Sequence, residues 1–200
     1  MEKPADNKYP IHNLLRRRWS PVAFSERPVS HENLRSLLEA ARWAPSCYGD
    51  QPWSFVVATK DRPDVFDRLL RCLLDANIAW AQYAPVLMIS VARRHFAHNG
   101  QPNRYGWHDI GLAVGGMLVQ ATHLGLSVHQ MAGFDPVKAR ETFAIPDDHE
   151  PVSAIAIGYR GDAGNLSQAL QTREAAPRSR HPLAKFVFSD TWGQVAPFVE

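Results

Sequence analysis

An apolar run of eight residues, "PVLMISVA" from Pro85 to Ala92, most restricts the fold of this chain. Apart from Ser90 it has no polar position, whereas a strand with one solvent-facing side alternates apolar and polar residues. The run therefore predicts a central strand that is covered on both faces. Further strands are predicted at Trp53–Ala58, Ser153–Tyr159 and Leu183–Ser189.

Two amphipathic segments are predicted to supply the covering layers. After the cap residue Ser30, apolar residues recur at positions i, i+3, i+4 and i+7, and Pro45 ends this helix. A longer helix runs from about Tyr105 to Leu124 and stops before Gly125. Its internal glycines destabilise a helix, so close approach of another helix is expected to compensate for them.

Shorter helices complete the predicted set. Asp64 is expected to cap a helix through about Asp75, Asn77–Tyr83 to form another turn or two, and Asp135 with Pro136 to begin a further helix. Helices that alternate with few strands indicate an α+β layered domain. With 45% hydrophobic residues, the 200-residue chain can form one domain over residues 1–200, and residues 1–10 are expected to be flexible.

Charge and cysteine content exclude several classes of protein. The formal net charge is +2, from 22 Lys and Arg against 20 Asp and Glu, which argues against a nucleic-acid-binding protein. Two cysteines and a polar start, "MEKPADNKYP", predict a cytoplasmic protein without a disulfide scaffold or a secretory leader. The longest apolar run, "IGLAVGGMLVQATHLGL", contains polar residues and indicates a buried helix, so no membrane association is expected.

Two arginine clusters are candidates for an anion site. Arg16, Arg17 and Arg18 stand just before the Ser30 helix, and Arg178 and Arg180 stand in a polar linker before the last predicted strand. The guanidinium fork suits a phosphate, and Ser20 could add a hydroxyl and a backbone N–H. The alternative is that both clusters are solvated surface groups.

The segment "APSCYGDQPWSF", from Ala44 to Phe55, is a second candidate. Pro45 and Pro52 stiffen it, so Ser46, Cys47 and Gln51 would be presented from a fixed backbone. That arrangement suits a flat ring with hydrogen-bonding edges. The alternative is a tight connection that buries Trp53 in the core.

Other kinds of site find little support. The nine histidines show no spacing typical of metal ligands, and no Cys–His pairing is readable around Cys47. The glycines of "GLAVGG" follow no strand and lack the spacing of a dinucleotide-binding loop. No metal site is predicted.

The chain resembles the FMN-dependent nitroreductase family along almost its whole length. The resemblance rests on Arg18, Ser20 and Phe24, and on the order of the motifs "EAARWAPS…QPW", "ANIAWAQYAPVLM", "DIGLAVGG…LGL", "HQMAGFD", "AIGY" and "PRSRHPL". It implies a three-layer α/β/α fold with a small, mostly antiparallel central sheet. It also implies an intertwined homodimer with two FMN sites at the interface, each lined by both subunits.

The same resemblance assigns cofactor-binding residues. The FMN phosphate would be held by Arg18, Trp19 (mainly through its backbone), Ser20, Arg178 and Arg180. The other subunit would line the flavin with Pro45, Ser46, Cys47 and, close by, Gln51. Asn77 would bond the pyrimidine edge, and Met131, Ala132 and Gly133 would lie beside flavin N5, with a backbone N–H of the last two directed at it. The apolar C-terminal segment "DTWGQVAPFVE" would extend onto the partner, although it could instead pack on its own chain.

The implied activity is that of an oxidoreductase with a ping-pong cycle. NAD(P)H would deliver hydride to the flavin and leave, and a nitroaromatic, quinone or similar small acceptor would then enter. No catalytic residue is assigned, because water or substrate can supply protons. Two alternatives stay open: the same chemistry on an activated alkene, an aldehyde or a halogenated aromatic, or a module that stores or delivers FMN. Neither the acceptor nor a preference for NADH or NADPH is predicted.

Three positions depart from the family pattern: Val22, Gly49 and Trp80. Many members have a basic residue at the first, an asparagine at the second and, in some cases, a lysine at the third. Contacts to the ring and its redox potential are therefore expected to differ. His129 is a candidate for a position near the flavin or substrate, and equally for a structural role.

Overall fold

The computed structural model describes residues 3–199. Its helices are α1 (Asn13–Arg17), α2 (His31–Arg42), α3 (Pro63–Leu70), α4 (Asp75–Ala81), α5 (Gly106–His123), α6 (Pro136–Phe143) and α7 (Gln168–Ala175). Its strands are β1 (Trp53–Thr59), β2 (Val86–Arg93), β3 (Ser127–Met131) and β4 (His149–Gly158). Short 3-10 turns lie at Cys47–Gly49, Ala163–Asn165, Leu183–Lys185 and Pro197–Val199.

The strands form one antiparallel sheet in the order β1-β2-β4-β3. The apolar run that dominates the sequence is β2, and it lies between β1 and β4. Val86 pairs with Ile157 at one end of this strand and Arg93 with His149 at the other. The predicted central strand is confirmed.

Alternate side chains of β2 enter two separate cores, because successive residues of a strand point to opposite faces. Leu87 and Ile89 pack with α3, α4 and α6 on one face. Val86 and Met88 pack with α2 and α5 on the other. Helices thus cover both faces of the sheet, which confirms the α+β fold with three α/β/α layers.

The two amphipathic helices form as their sequences predict. The Ser30 hydroxyl accepts a hydrogen bond from the Asn33 N–H at the start of α2, and Gly125 follows α5 with φ +72°. A Cβ at Gly116 would lie 2.9 Å from the Ala40 carbonyl oxygen of α2. This glycine therefore permits the close approach of the two helices that the sequence predicts.

The predicted ends of α3 and α4 are wrong. Arg62 occupies the cap position of α3, Pro63 is its first residue, and Asp64 lies in the first turn. Proline is favoured at this position because a first-turn N–H has no partner within the helix. The helix also ends at Leu70 rather than near Asp75, where α4 already begins.

The regions around the arginines contain more regular structure than predicted. Arg16 and Arg17 end the short helix α1, and the expected linker Gly161–Arg180 contains α7. Strand β3 was not predicted at all. The predicted strand Leu183–Ser189 is wrong: it begins with a 3-10 turn, and Phe188 forms only an isolated bridge to Val195.

The C-terminal segment folds partly back on itself. The Ala196 N–H donates to the Val187 carbonyl at 3.2 Å, beside the bridge between Phe188 and Val195. Trp192 remains 93% exposed and Phe198 78% exposed in the single chain. Within residues 3–199, no helix is both long and apolar enough to cross a bilayer.

Candidate functional site

The two arginine clusters converge on one cavity of about 240 Å³, which is named the cation cavity here. Residues after α1 form one side of it, and the end of α7 with the chain that follows forms the other. Its lining consists of Lys3, Arg18, Trp19, Ser20, Val22, Arg173, Glu174, Ala176, Pro177, Arg178 and Arg180. All five residues predicted for a phosphate site are therefore together.

Positive charge is in excess in the cation cavity. Among residues 3–199, five basic side chains line it against one carboxylate, which gives these lining residues a formal charge of +4, whereas the whole chain carries +2. Burial lowers the pKa of Arg18, and the charges of Arg178 and Arg180 lower it further. Burial and Arg180 likewise lower the pKa of Arg178. Mutually repelling guanidinium groups of this kind favour the binding of an anion.

Hydrogen bonds fix the walls of this cavity. The Arg18 Nη1 donates to the Ser20 hydroxyl at 3.3 Å. Glu174, the one carboxylate that the described residues place in the lining, accepts from the Val22 N–H at 2.7 Å. Val22 itself is buried, so this position provides a backbone N–H and packing rather than charge.

A second group of predicted residues meets at the start of α4. The Asn77 Nδ2 donates to the Gly133 carbonyl at 2.9 Å, and the Leu74 N–H donates to the same oxygen at 3.0 Å. A Cβ at Gly133 would lie 2.5 Å from that Asn77 nitrogen, so any larger residue would displace the Asn77 amide from this contact. In residues 3–199, the N–H groups of Ala132 and Gly133 donate to no protein acceptor. Met131, the last residue of β3, is buried beneath them.

His129 of β3 connects this second group to the cation cavity. Its Nδ1 lies 2.7 Å from the Pro21 carbonyl oxygen, next to the cavity wall. Its ring lies 4.5 Å from that of Trp80, which is fully buried and fills the core. Burial lowers the pKa of His129, the bond to Pro21 opposes this, and the charges of Arg173 and Arg18 lower it further.

The predicted ring-binding loop is held by two buried carboxylates. The Cys47 N–H donates to Asp109 of α5 at 3.0 Å. Asp50 forms an ion pair of 2.7 Å with Arg93, and the pKa of Asp50 lies below its ordinary value because the bonds from Arg93 and the Ala97 N–H outweigh the effect of burial.

The backbone of this loop is unusual. Tyr48 has φ +56° and Gln51 has φ +48°, both in the left-handed region that residues other than glycine rarely adopt. The Gln51 N–H donates to the Ser46 hydroxyl at 3.0 Å, and Pro45 leads into the loop. Such strained conformations persist where the surroundings enforce them, and they cluster at binding sites.

The loop does not lie with the other predicted residues in the single chain. It precedes β1, at one edge of the sheet, whereas His129 and Met131 belong to β3, at the other edge. Three strand spacings, roughly 14 Å in all, separate these two edges. The structure thus brings together the phosphate and Asn77–Gly133 groups, and it places the loop Pro45–Gln51 apart from both.

Three residues at these sites were not predicted from the sequence. Lys3 and Arg173 add charge to the cation cavity, and Asp109 holds the loop. Asp109 lies in the first turn of α5, where an acidic residue is ordinary, so no signal in the sequence marks its side chain as almost fully buried. Residues 3–199 contain no group of three or more His, Cys, Asp or Glu side chains that could hold a metal ion.

Sequence comparison agrees with this architecture. The pattern of the nitroreductase family matches residues 15–159. The chain belongs to the nitroreductase family. The predicted enzyme class, an oxidoreductase of this family, is thereby confirmed. The match ends before Arg173, so one side of the cation cavity lies outside the segment that defines a nitroreductase.

Individual relatives extend the comparison. An NADH dehydrogenase of Thermus thermophilus is 28% identical over 178 residues, covering 74% of this chain and 85% of the relative. An uncharacterized 15.4 kDa protein of Mycolicibacterium smegmatis is 31% identical over 133 residues, covering 66% of this chain and 88% of the relative.

Solved structures extend the similarity to almost the full chain. An oxidoreductase containing FMN has a TM-score of 0.89 and 35% identity, covering 94% of this nitroreductase and 96% of that chain. A nitroreductase family protein of Clostridium difficile 630 has a TM-score of 0.69 and 25% identity, covering 89% and 96% of the two chains.

Proposed function

We propose that this chain binds FMN, with the phosphate in the cation cavity and the ring beside Asn77 and Gly133. A phosphate monoester carries about two negative charges at neutral pH and accepts several hydrogen bonds. The convergence of Arg18 with Arg178 and Arg180 carries the proposal, because the cavity holds an excess charge of +4 and a serine hydroxyl. The similar structure that contains FMN supports the same cofactor.

Around the ring, this chain provides hydrogen-bond donors rather than a proton-transfer group. When bound, FMN supplies hydride chemistry that no side chain offers. The N–H groups of Ala132 and Gly133 could stabilise negative charge on the ring, and Gly133 has no Cβ to keep the backbone away. We assign no residue to acid or base catalysis. NAD(P)H is the proposed donor, as relatives' names suggest, and a small nitroaromatic or quinone the proposed acceptor, in alternation at the same site.

The proposed assembly is a homodimer in which the loop Pro45–Gln51 of one chain completes the site of the other. Two observations support it. The loop and the Asn77–Gly133 group lie at opposite edges of one sheet, so a single chain does not enclose the ring. On α5, a Cβ at Gly111 or Gly115 would meet nothing within 4 Å, and Leu112 between them is 39% exposed, as expected for a helix face that packs on a partner.

The main test removes two of the proposed phosphate ligands. Arg18→Ala combined with Arg180→Ala should raise the Kd for FMN roughly a hundredfold or more, because two charge-assisted contacts contribute about 3 kcal/mol together. FMN fluorescence titration measures the Kd. The control, Arg35→Ala with Arg71→Ala, removes the same total charge from two exposed positions outside the cavity, one in α2 and one just after α3, and should leave the Kd unchanged. Full flavin occupancy in the first variant would refute the assignment.

Spectroscopy and mass measurement test the rest of the proposal. Yellow protein should bleach within seconds of adding NADH or NADPH, and an acceptor should restore the colour. Yellow protein that is inert to both nucleotides and exchanges FMN readily would instead indicate a flavin carrier. Light scattering should give about twice the chain mass of 22.4 kDa, and the mass of a single chain with FMN bound would rule out the shared site.

A further inference from the structure

The segment Lys3–Ala5, named the N-terminal strap here, connects the two sides of the cation cavity. The Arg178 Nη1 donates to the Lys3 carbonyl at 2.5 Å and to the Arg16 carbonyl at 3.2 Å. The Ala5 N–H donates to the same Arg16 carbonyl at 2.7 Å. The strap therefore ties the arginine that follows α7 to the end of α1.

The Lys3 ammonium lies inside this arrangement. It donates to the Ala176 carbonyl at 2.8 Å and to the Glu174 carbonyl, both at the end of α7. It also lies 4.7 Å from the centre of the Trp19 ring. A cation is favoured at a helix C-terminus, where carbonyl groups have no partner within the helix. These contacts hold the ammonium at the cavity wall.

We propose that Lys3 is a further binding residue for the cofactor phosphate, an inference that rests on the proposed function. An ammonium carries three N–H donors, so two bonds to carbonyl groups leave one for an anion in the cavity. Its charge belongs to the excess that makes the site electropositive. The bond from Arg178 to the Lys3 carbonyl also means that the strap orients one of the guanidinium groups.

The experiment compares FMN with riboflavin, which has the same ring and ribityl chain but no phosphate. Lys3→Met keeps most of the aliphatic stem and removes the charge, and Lys3→Arg keeps the charge. Lys8→Met is the matched control, since Lys8 lies over the Tyr9 ring at 5.3 Å and is not part of the cavity lining. Fluorescence titration gives each Kd, and thermal unfolding of the flavin-free proteins checks that they fold.

Lys3→Met should raise the Kd for FMN about tenfold, as expected for one charge-assisted contact, and leave the Kd for riboflavin unchanged. Lys3→Arg should stay close to the unmodified protein, and so should Lys8→Met. An equal loss of riboflavin and FMN affinity in Lys3→Met would overturn the proposal, because it would show an effect on folding rather than on the phosphate.

The outcomes also separate this inference from the proposed function. An unchanged FMN Kd in Lys3→Met, together with a large increase in Arg18→Ala with Arg180→Ala, would refute the role of Lys3 and leave the FMN site standing. If the unmodified protein binds FMN no more tightly than riboflavin, the phosphate site itself is wrong.

Discussion

The cation cavity and the loop Pro45–Gln51 differ in whether their polar groups have partners within the protein. In the described lining of the cavity, five basic side chains lie near one carboxylate, and burial, together with repulsion between the arginines, lowers the pKa values of Arg18 and Arg178. In the loop, an unusual backbone is held by internal partners: Asp109 accepts from the Cys47 N–H, and Asp50 pairs with Arg93.

The difference separates a region whose polar groups are satisfied within the free protein from one whose donors still lack an acceptor. Buried polar groups in the loop have protein partners, so the loop is formed before any ligand arrives. The cavity has a surplus of donors, so its charge is balanced only when an anion binds. Substitutions in the loop should therefore affect the stability of the free protein, whereas those in the cavity should affect binding.

Removal of Asp109 should give the largest change in the free protein. Asp109→Ala leaves the Cys47 N–H without its acceptor, and a lost partner of this kind reduces the free energy of unfolding by about 1–3 kcal/mol. Urea denaturation of flavin-free protein measures it. The control Asp147→Ala, at a fully exposed side chain, should have no measurable effect. Unchanged stability in Asp109→Ala would contradict the view that the loop is held from within.

A change of pH should alter the stability of the free protein through His129, which bonds Pro21 next to the cavity wall and is not part of the lining. Burial holds its pKa below the ordinary 6.5, so the unfolded chain takes up a proton at a higher pH than the folded one. The free energy of unfolding should therefore have its full value above about pH 6.5. It should fall as the pH drops below that value, by at most about 1.4 kcal/mol per pH unit. Urea denaturation between pH 8 and 5 should show this slope, and His129→Gln should reduce it. Equal slopes in both proteins would remove His129 as the cause.

The smallest change is expected for Arg180→Ala in the absence of FMN. Within residues 3–199, the Arg180 side chain donates only to the neighbouring Ser179 carbonyl, and its charge adds to the repulsion around Arg18, so its loss should change the free energy of unfolding by less than about 0.5 kcal/mol. The same variant should bind FMN more weakly. A clear loss of stability without FMN would show that Arg180 has a structural role and would weaken the contrast with the loop.

Local sequence patterns predicted the layers of the fold. The strands that were predicted wrongly or not at all depend on pairing between distant segments. The continuous apolar run of β2 and the apolar residues at helical spacing in α2 indicate in the sequence itself which residues are buried. Strand β3 contains His129 and Gln130, and only its pairing with β4 makes it a strand. The segment Leu183–Ser189 has β-rich residues, but only one isolated bridge pairs it in the described chain.

The site shows the same division. Arg18 and Ser20 could be predicted because they lie in a short motif that resembles a known family. Lys3 could not, because its contacts join residues more than 170 positions apart and the strap carries no apolar pattern. Asp109 could not be predicted as a residue that holds the loop, because one acidic residue in the first turn is ordinary for a helix start.

The contact between the Lys3 carbonyl and Arg178 has a consequence for biosynthesis, since 175 positions separate the two residues. A nascent chain on the ribosome possesses Lys3, Arg18 and the whole sheet before Arg173, Arg178 and Arg180 have been made. Three of the five cations are thus missing until translation reaches residue 173, and the set is complete only after residue 180. If the cavity holds the FMN phosphate as proposed, a nascent chain should therefore bind FMN tightly only after these late residues have emerged.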